Sequence, residues 1–184
     1  MANEIVYLSG PVLFACVFDR NKKQNEYTDE HGEYTIVIGL DKPAAKMVKS
    51  WNKMYQGKEL DEIFKEDKMP PEAEDEEFSS LTYFTFKRKA KVFKRDGTEI
   101  EDFGGKPVTV DSDGNPWDDD INIGNFSKAT IKLNVYRGVF VKDGKSAPFT
   151  QVRLDAVKVE ELVEYEGGER ETAEIVVVGN AKPF

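Results

Sequence analysis

Ala129-Thr-Ile-Lys-Leu-Asn-Val-Tyr-Arg-Gly-Val-Phe-Val141 alternates apolar and polar residues along most of its length, and Asp143-Gly144 follows it. Side chains leave a strand on opposite faces in turn, so this period of two marks a half-buried strand. Ile131, Leu133, Val135, Val139 and Val141 form the core face. Lys132, Asn134, Tyr136, Gly138 and Phe140 form the other. Asp-Gly is a hairpin signal, so the chain returns as a second long strand over Pro148–Leu162.

Further strands lie upstream. Ile5–Phe18 is apolar and β-branched but contains Ser9-Gly10-Pro11, which predicts a bent or broken strand. Glu33–Leu40 places Tyr34, Ile36, Ile38 and Leu40 on one face, with Thr35 and Val37 on the other. Thr82–Lys94 reads as a strand ending at an Asp96-Gly97 turn, and Glu99–Val110 as one or two short strands. Asp41–Gln56 is the one helical pattern: Pro43 suits its first turn, Gly57 its end, and Met47, Val48, Trp51, Met54 and Tyr55 its apolar stripe. Five longer strands and one connecting helix predict a mainly β domain. The expected form is a five-stranded closed barrel with one inserted α-helix over residues 1–165, followed by a C-terminal tail over 166–184.

At 184 residues, 39% hydrophobic and 33% charged, the chain can bury a core without disulfides or structural metal. No apolar run approaches a membrane span, and Met1–Glu4 lacks signal-peptide features, so cytoplasm is the expected compartment and no membrane partner is expected. One cysteine, Cys16, and one histidine, His31, exclude zinc fingers and disulfide frameworks. No cofactor is expected.

The net charge of -9 is unevenly distributed. Residues 59–77 carry ten acids against Lys65 and Lys68, and residues 160–174 carry seven glutamates against Arg170. Removing these segments, which net -8 and -6, from the total of -9 leaves the other 150 residues at +5. Such blocks usually mark solvated or interacting segments; the first reads as a long acidic excursion over 57–78, with Pro70-Pro71 supporting a loop and some helical character around Leu60–Lys65. Between Ser79 and Arg95 there is no acid, whereas Lys87, Arg88, Lys89, Lys91, Lys94 and Arg95 interleave with Tyr83, Phe84, Phe86 and Phe93. One reading is a charged edge that discourages aggregation. The other is a phosphate-tracking groove with aromatic platforms, because lysines neutralise phosphates and unpaired bases stack on exposed rings. By parity Tyr83, Lys87, Lys89, Lys91 and Phe93 share the non-core face. With Lys132, Tyr136 and Phe140 they form the candidate nucleic-acid-binding set.

Catalytic motifs are absent. Asp111, Asp113 and Asn115 begin like a calcium loop, but Pro116 and Asn122 occupy its glycine and glutamate positions. Asp118–Asp120 are consecutive and cannot all converge on one ion. Gly124–Lys128 lacks a phosphate-loop ending, and His31 sits in a polar turn. No catalytic or metal-binding residue is assigned, although a Mg²⁺ nuclease built on the 111–120 acids and a protein-interaction module stand as alternatives.

The order of several segments resembles the single-stranded DNA-binding proteins of tailed phages, podovirus replication type. They are Gly32–Ile38 with the helix from Pro43, Phe84-Thr85-Phe86-Lys87, Val108–Ser112 through Ile123-Gly124, Ser127-Lys128 with Ile131-Lys132, and Val152–Leu162. The resemblance implies an OB-fold barrel and sequence-independent binding of single-stranded DNA in phage replication and recombination. It also implies a homodimer, partnership with a DNA polymerase and a primase-helicase, and residence in the cytoplasm of an infected bacterium. Lys132 falls on a family lysine and Phe140 on a family aromatic; Gly138 stands where the family has tyrosine, for which Tyr136 can substitute. The family's acidic tail ends in an aromatic residue that docks on partners, which assigns that role to Phe184, although here the acids stop at Glu174 and Lys182 precedes Pro183-Phe184.

Overall fold

The computed structural model describes residues 2–164 and 177–178. The strands are β1 (Ala2–Cys16), β2 (Glu33–Leu40), β3 (Thr82–Lys89), β4 (Val108–Val110), β5 (Lys128–Lys142), β6 (Lys145–Val163) and β7 (Val177–Val178). The helices are α1 (Lys42–Trp51), α2 (Leu60–Ile63) and α3 (Glu76–Ser79). The domain is mainly β, as its alternating segments predict. No helix among the described residues is long and apolar enough to cross a membrane.

The strands pair along the path β3-β2-β1-β5-β6-β4, with β7 also on β6. This is an open six-stranded path where the sequence predicts a five-stranded closed barrel. All these pairings are antiparallel except β4 with β6. β1 serves two neighbours, pairing with β5 through Pro11 and with β2 from Val12 onward. Gly10 sits at this crossing, where a Cβ would collide with the Gly39 carbonyl oxygen. A bulge between Leu13 and Cys16 completes the bend. There Phe14 takes a left-handed φ of 48°, and Asn125 Oδ1 accepts its N–H at 2.9 Å.

The inward faces of β1, β2, β3, β5 and β6 form one core, which Ala45, Val48 and Trp51 of α1 cover. Asp41 caps α1 by accepting the Ala44 N–H at 3.1 Å. The helix ends at Trp51, short of Gln56, because Asn52 is extended and its Oδ1 takes the Met54 N–H at 3.1 Å. Met54 is consequently exposed, whereas Tyr55 still packs on the core.

The acidic segment is folded. Leu60, Ala73 and Phe78 bury themselves against Leu13, Tyr83 and Phe126, with Val37 half-buried beside them. This second cluster lies on the outer side of β1, β2 and β3, where Leu13, Val37 and Tyr83 point, opposite Ile36 and Ile38 of the main core. The acids between these anchors remain outside.

β3 stops at Lys89, five residues before the predicted end. The Ala90 N–H turns to the Gly32 carbonyl at 3.0 Å, and a separate turn follows at Asp96-Gly97. Arg88 then joins β3 to β6. Its Nη1 donates to Asp155 Oδ1 at 2.7 Å, its Nε to Gly105 O at 2.9 Å, and its Nη2 to Gly104 O at 2.7 Å and Asp102 O at 3.2 Å. Burial and the nearby Arg153 charge push the Arg88 pKa down, opposed by Asp155.

Replacing Phe78 with alanine removes the ring whose centroid packs 4.8 Å from that of Phe126. Urea denaturation should show a loss of roughly 3 kcal/mol, and limited proteolysis should cut first within residues 59–77. A stability within 0.5 kcal/mol of the parent, as usual for surface changes, would contradict the anchoring role.

Candidate nucleic-acid interface

The β5–β6 hairpin extends past its neighbours. The last pair that β1 makes with β5 is Ala2 with Arg137, yet β5 and β6 continue to Lys142 and Lys145. Asp143 and Gly144 make the turn with φ of 52° and 74°, as an Asp-Gly hairpin turn requires.

Leu133 and Val135 face the core, so Lys132, Asn134, Tyr136, Gly138 and Phe140 occupy the outer face. Their β6 partners are Ala156, Arg153, Gln151, Phe149 and Ala147. On the other side, Tyr7, Ile5 and Asn3 of β1 pair with Lys132, Asn134 and Tyr136. Tyr7 is 64% exposed and Phe140 50%. The Phe149 ring lies over Gly138, where a Cβ would stand 2.7 Å from its Cζ, and its centroid is 5.8 Å from that of Tyr136. Glycine at 138 therefore gives the two rings their place. β5 contains no acid, and β6 contains none before Asp155.

At the lower end of this face, Arg153 adds a second cation. Its Nε donates to Asp155 Oδ1 at 2.7 Å, and its guanidinium carbon lies 5.0 Å from the Phe103 ring centroid. Asp155 is thus shared by Arg88 and Arg153. Lys132, Arg153, Arg88, Asp155, Asp102 and Val108 line a cleft of about 340 Å³.

The sequence-derived set divides into three. Lys132, Tyr136 and Phe140 come together on the ribbon. Lys87, Lys89 and Lys91 lie around the β2–β3 edge, and each meets a carboxylate: Glu33 at 3.5 Å, Asp29 at 3.4 Å and Glu99 at 3.8 Å. Phe93 belongs to the turn after β3, 44% exposed and 5.3 Å from the His31 ring. Tyr83 is a correction. It is on the predicted face, but the acidic segment covers the Tyr83 end of that face; the phenol is 2% exposed and donates to Phe78 O at 3.0 Å. No base can stack on it. Phe184 lies outside the described residues, as does most of the predicted tail.

Sequence parity missed Tyr7, Phe103, Phe149 and Arg153. Phe149 and Arg153 require the β5–β6 register, and Phe103 arrives through a turn fixed by Arg88. The Asp111 carboxylate is taken up by its own loop, accepting the Asp113 and Asn115 N–H groups at 2.9 Å each. The Asn115 N–H is the main cause that lowers its pKa.

No family model and no curated protein matches the chain. Among solved structures it is similar to gp2.5, a single-stranded DNA-binding protein encoded by bacteriophage T7. That comparison has a TM-score of 0.52 and 19% identity, covering 97% of this chain and 100% of that one. The single-stranded DNA-binding protein of bacteriophage Enc34 gives 0.45 and 9%, over 92% of this chain and 87% of its own. Its complex with single-stranded DNA gives 0.45 and 9%, over 84% and 85%. The gp2.5 likeness establishes a shared fold.

Burial pushes the Tyr83 phenol above its ordinary value, and burial together with the Asp19 hydrogen bond raises Tyr34. A raised phenol pKa favours the folded state below the unfolded value of about 10, and that contribution is lost as pH climbs further. Denaturation midpoints should therefore fall above pH about 10. Nitration at neutral pH should modify Tyr7 and Tyr27 while sparing Tyr83 and Tyr34; modification of Tyr83 in the folded protein would contradict its burial.

Proposed function

We propose that this chain is a non-enzymatic protein that binds single-stranded DNA without regard to base sequence and serves phage DNA replication and recombination. One observation carries the reading: the outer face of the β5–β6 ribbon is acid-free from Lys132 to Lys142 and from Lys145 to Arg153 and combines cations with aromatic rings. Cations there neutralise phosphates, and unpaired bases stack on rings that duplex bases cannot reach. The fold shared with the T7 single-stranded DNA-binding protein supports the same reading.

Tyr136, Phe140 and Lys132 form the centre of the proposed interface. Lys87, Lys89, Lys91 and Phe93 act as a flanking track, whose surface ion pairs are weak enough to exchange for phosphates. The barrel is of OB type, built from β1, β2, β3, β5 and β6, a reading supported by Arg88 linking β3 to β6. The reverse side of the ribbon supports a homodimer: Val139 and Val141 are 63% and 67% exposed there. A DNA polymerase and a primase-helicase as partners, Phe184 as their docking point and the host cytoplasm as location follow from the sequence resemblance.

Fluorescence titration with oligo-dT and with duplex DNA across a salt series tests the proposal. Single strands should bind more tightly, and Tyr136→Ala should weaken oligo-dT binding at least about fivefold, the lower end of one lost stacking contact. Charge reversal at Lys89 and Lys91 should flatten the salt dependence. Absence of oligo-dT binding at low salt would overturn the proposal in favour of an interaction module, and Mg²⁺-dependent cleavage of the oligonucleotide would overturn it in favour of a nuclease.

A further inference from the structure

Around the β3–β6 seam stands a cluster of which the strand pattern and the sequence resemblance singled out Lys132 but not Arg153, Asp155 or Phe103. Arg88 is consumed structurally, with four acceptors for its N–H groups. Arg153 is differently placed. Its Nε and Nη2 hold Asp155, at 2.7 and 3.4 Å, while its guanidinium carbon lies 5.0 Å from the Phe103 ring centroid. Lys132 approaches the same space from β5. Three cations face two carboxylates, and one of those, Asp155, is shared between both guanidiniums.

We propose that this cleft is a phosphodiester subsite, in which Lys132 and Arg153 together hold one backbone phosphate of the bound strand. The proposal rests on the single-stranded DNA reading and adds to it a fixed point for the backbone. Arg153 is held by Asp155 and Phe103 before any ligand arrives, so little side-chain freedom remains to be lost on binding. Lys132 supplies a point charge beside a planar fork, a combination suited to a tetrahedral anion. Phe103 is a positioning residue: half exposed, its ring supports the Arg153 guanidinium. Asp102 is the opposing charge, lining the cleft while only its carbonyl is engaged by Arg88. The aromatic face then continues from this phosphate along Tyr136 and Phe149 toward Phe140.

The subsite reads phosphate and not base, which separates it from the stacking rings. Two strands are titrated against the full chain across a salt series: oligo-dT, and a strand of equal length whose nucleotides are abasic. Arg153→Gln should weaken both by a similar factor, roughly five- to tenfold, and reduce the slope of log affinity against log salt by about 0.7, the value for one phosphate contact on a single strand. Asp102→Asn should tighten both about threefold by removing a nearby like charge. Tyr136→Ala should weaken oligo-dT alone.

If Arg153→Gln leaves both affinities and the slope unchanged while Tyr136→Ala still weakens oligo-dT, the subsite is wrong and the function stands. A loss confined to oligo-dT would make the cleft a base platform and overturn the phosphate assignment. Weakening by Asp102→Asn would likewise contradict it. If the parent protein binds neither strand, the function itself falls.

Discussion

Arg88 ties together the parts of this domain that the backbone ladder leaves separate. β3 and β6 lie at different points of the pairing path, and the guanidinium on one bonds the carboxylate on the other. The same group gathers the carbonyls of Asp102, Gly104 and Gly105. That fixes the turn that carries Phe103, and Asp155, once engaged, also orients Arg153. A buried charge of this kind is tolerated because nearly every donor it has is matched. Its consequence is local order at the seam where the proposed phosphate subsite lies.

Charge is divided between two outer surfaces. Over β1, β2 and β3, the acidic segment plugs the apolar positions with Leu60, Ala73 and Phe78 and turns its carboxylates outward. Over β5 and β6, the outer face is open and free of acids from Lys142 and Lys145 down to Asp155. The carboxylates of the acidic segment repel a polyanion, and the acid-free face of β5 and β6 is the surface proposed to receive one. The whole-chain charge of -9 describes neither surface.

Regular alternation made the sheet legible. β2 coincides with its predicted span, and the long hairpin follows from Asp143-Gly144 and the apolar face of β5. Ends were harder, because they depend on tertiary contacts: Ala90 leaves β3 to bond Gly32, and Asn52 stops α1 through its own side chain. Tyr83 marks a different limit. Parity assigned its side of the strand correctly, but only the folded acidic segment determines what covers that side. Phe149, Arg153 and Phe103 reach the candidate interface through strand register and a clasped turn, which a single sequence does not specify.

In the proposed function, single-stranded DNA lies on the outer face of β5 and β6. Ultraviolet crosslinking of oligo-dT to the full chain, with the modified residues located by mass spectrometry, tests it most directly. Adducts are expected at Tyr136, Phe140 and Phe149, with Tyr7 as the β1 neighbour. Adducts confined to Phe14 and Phe64, beside the acidic segment, would contradict it.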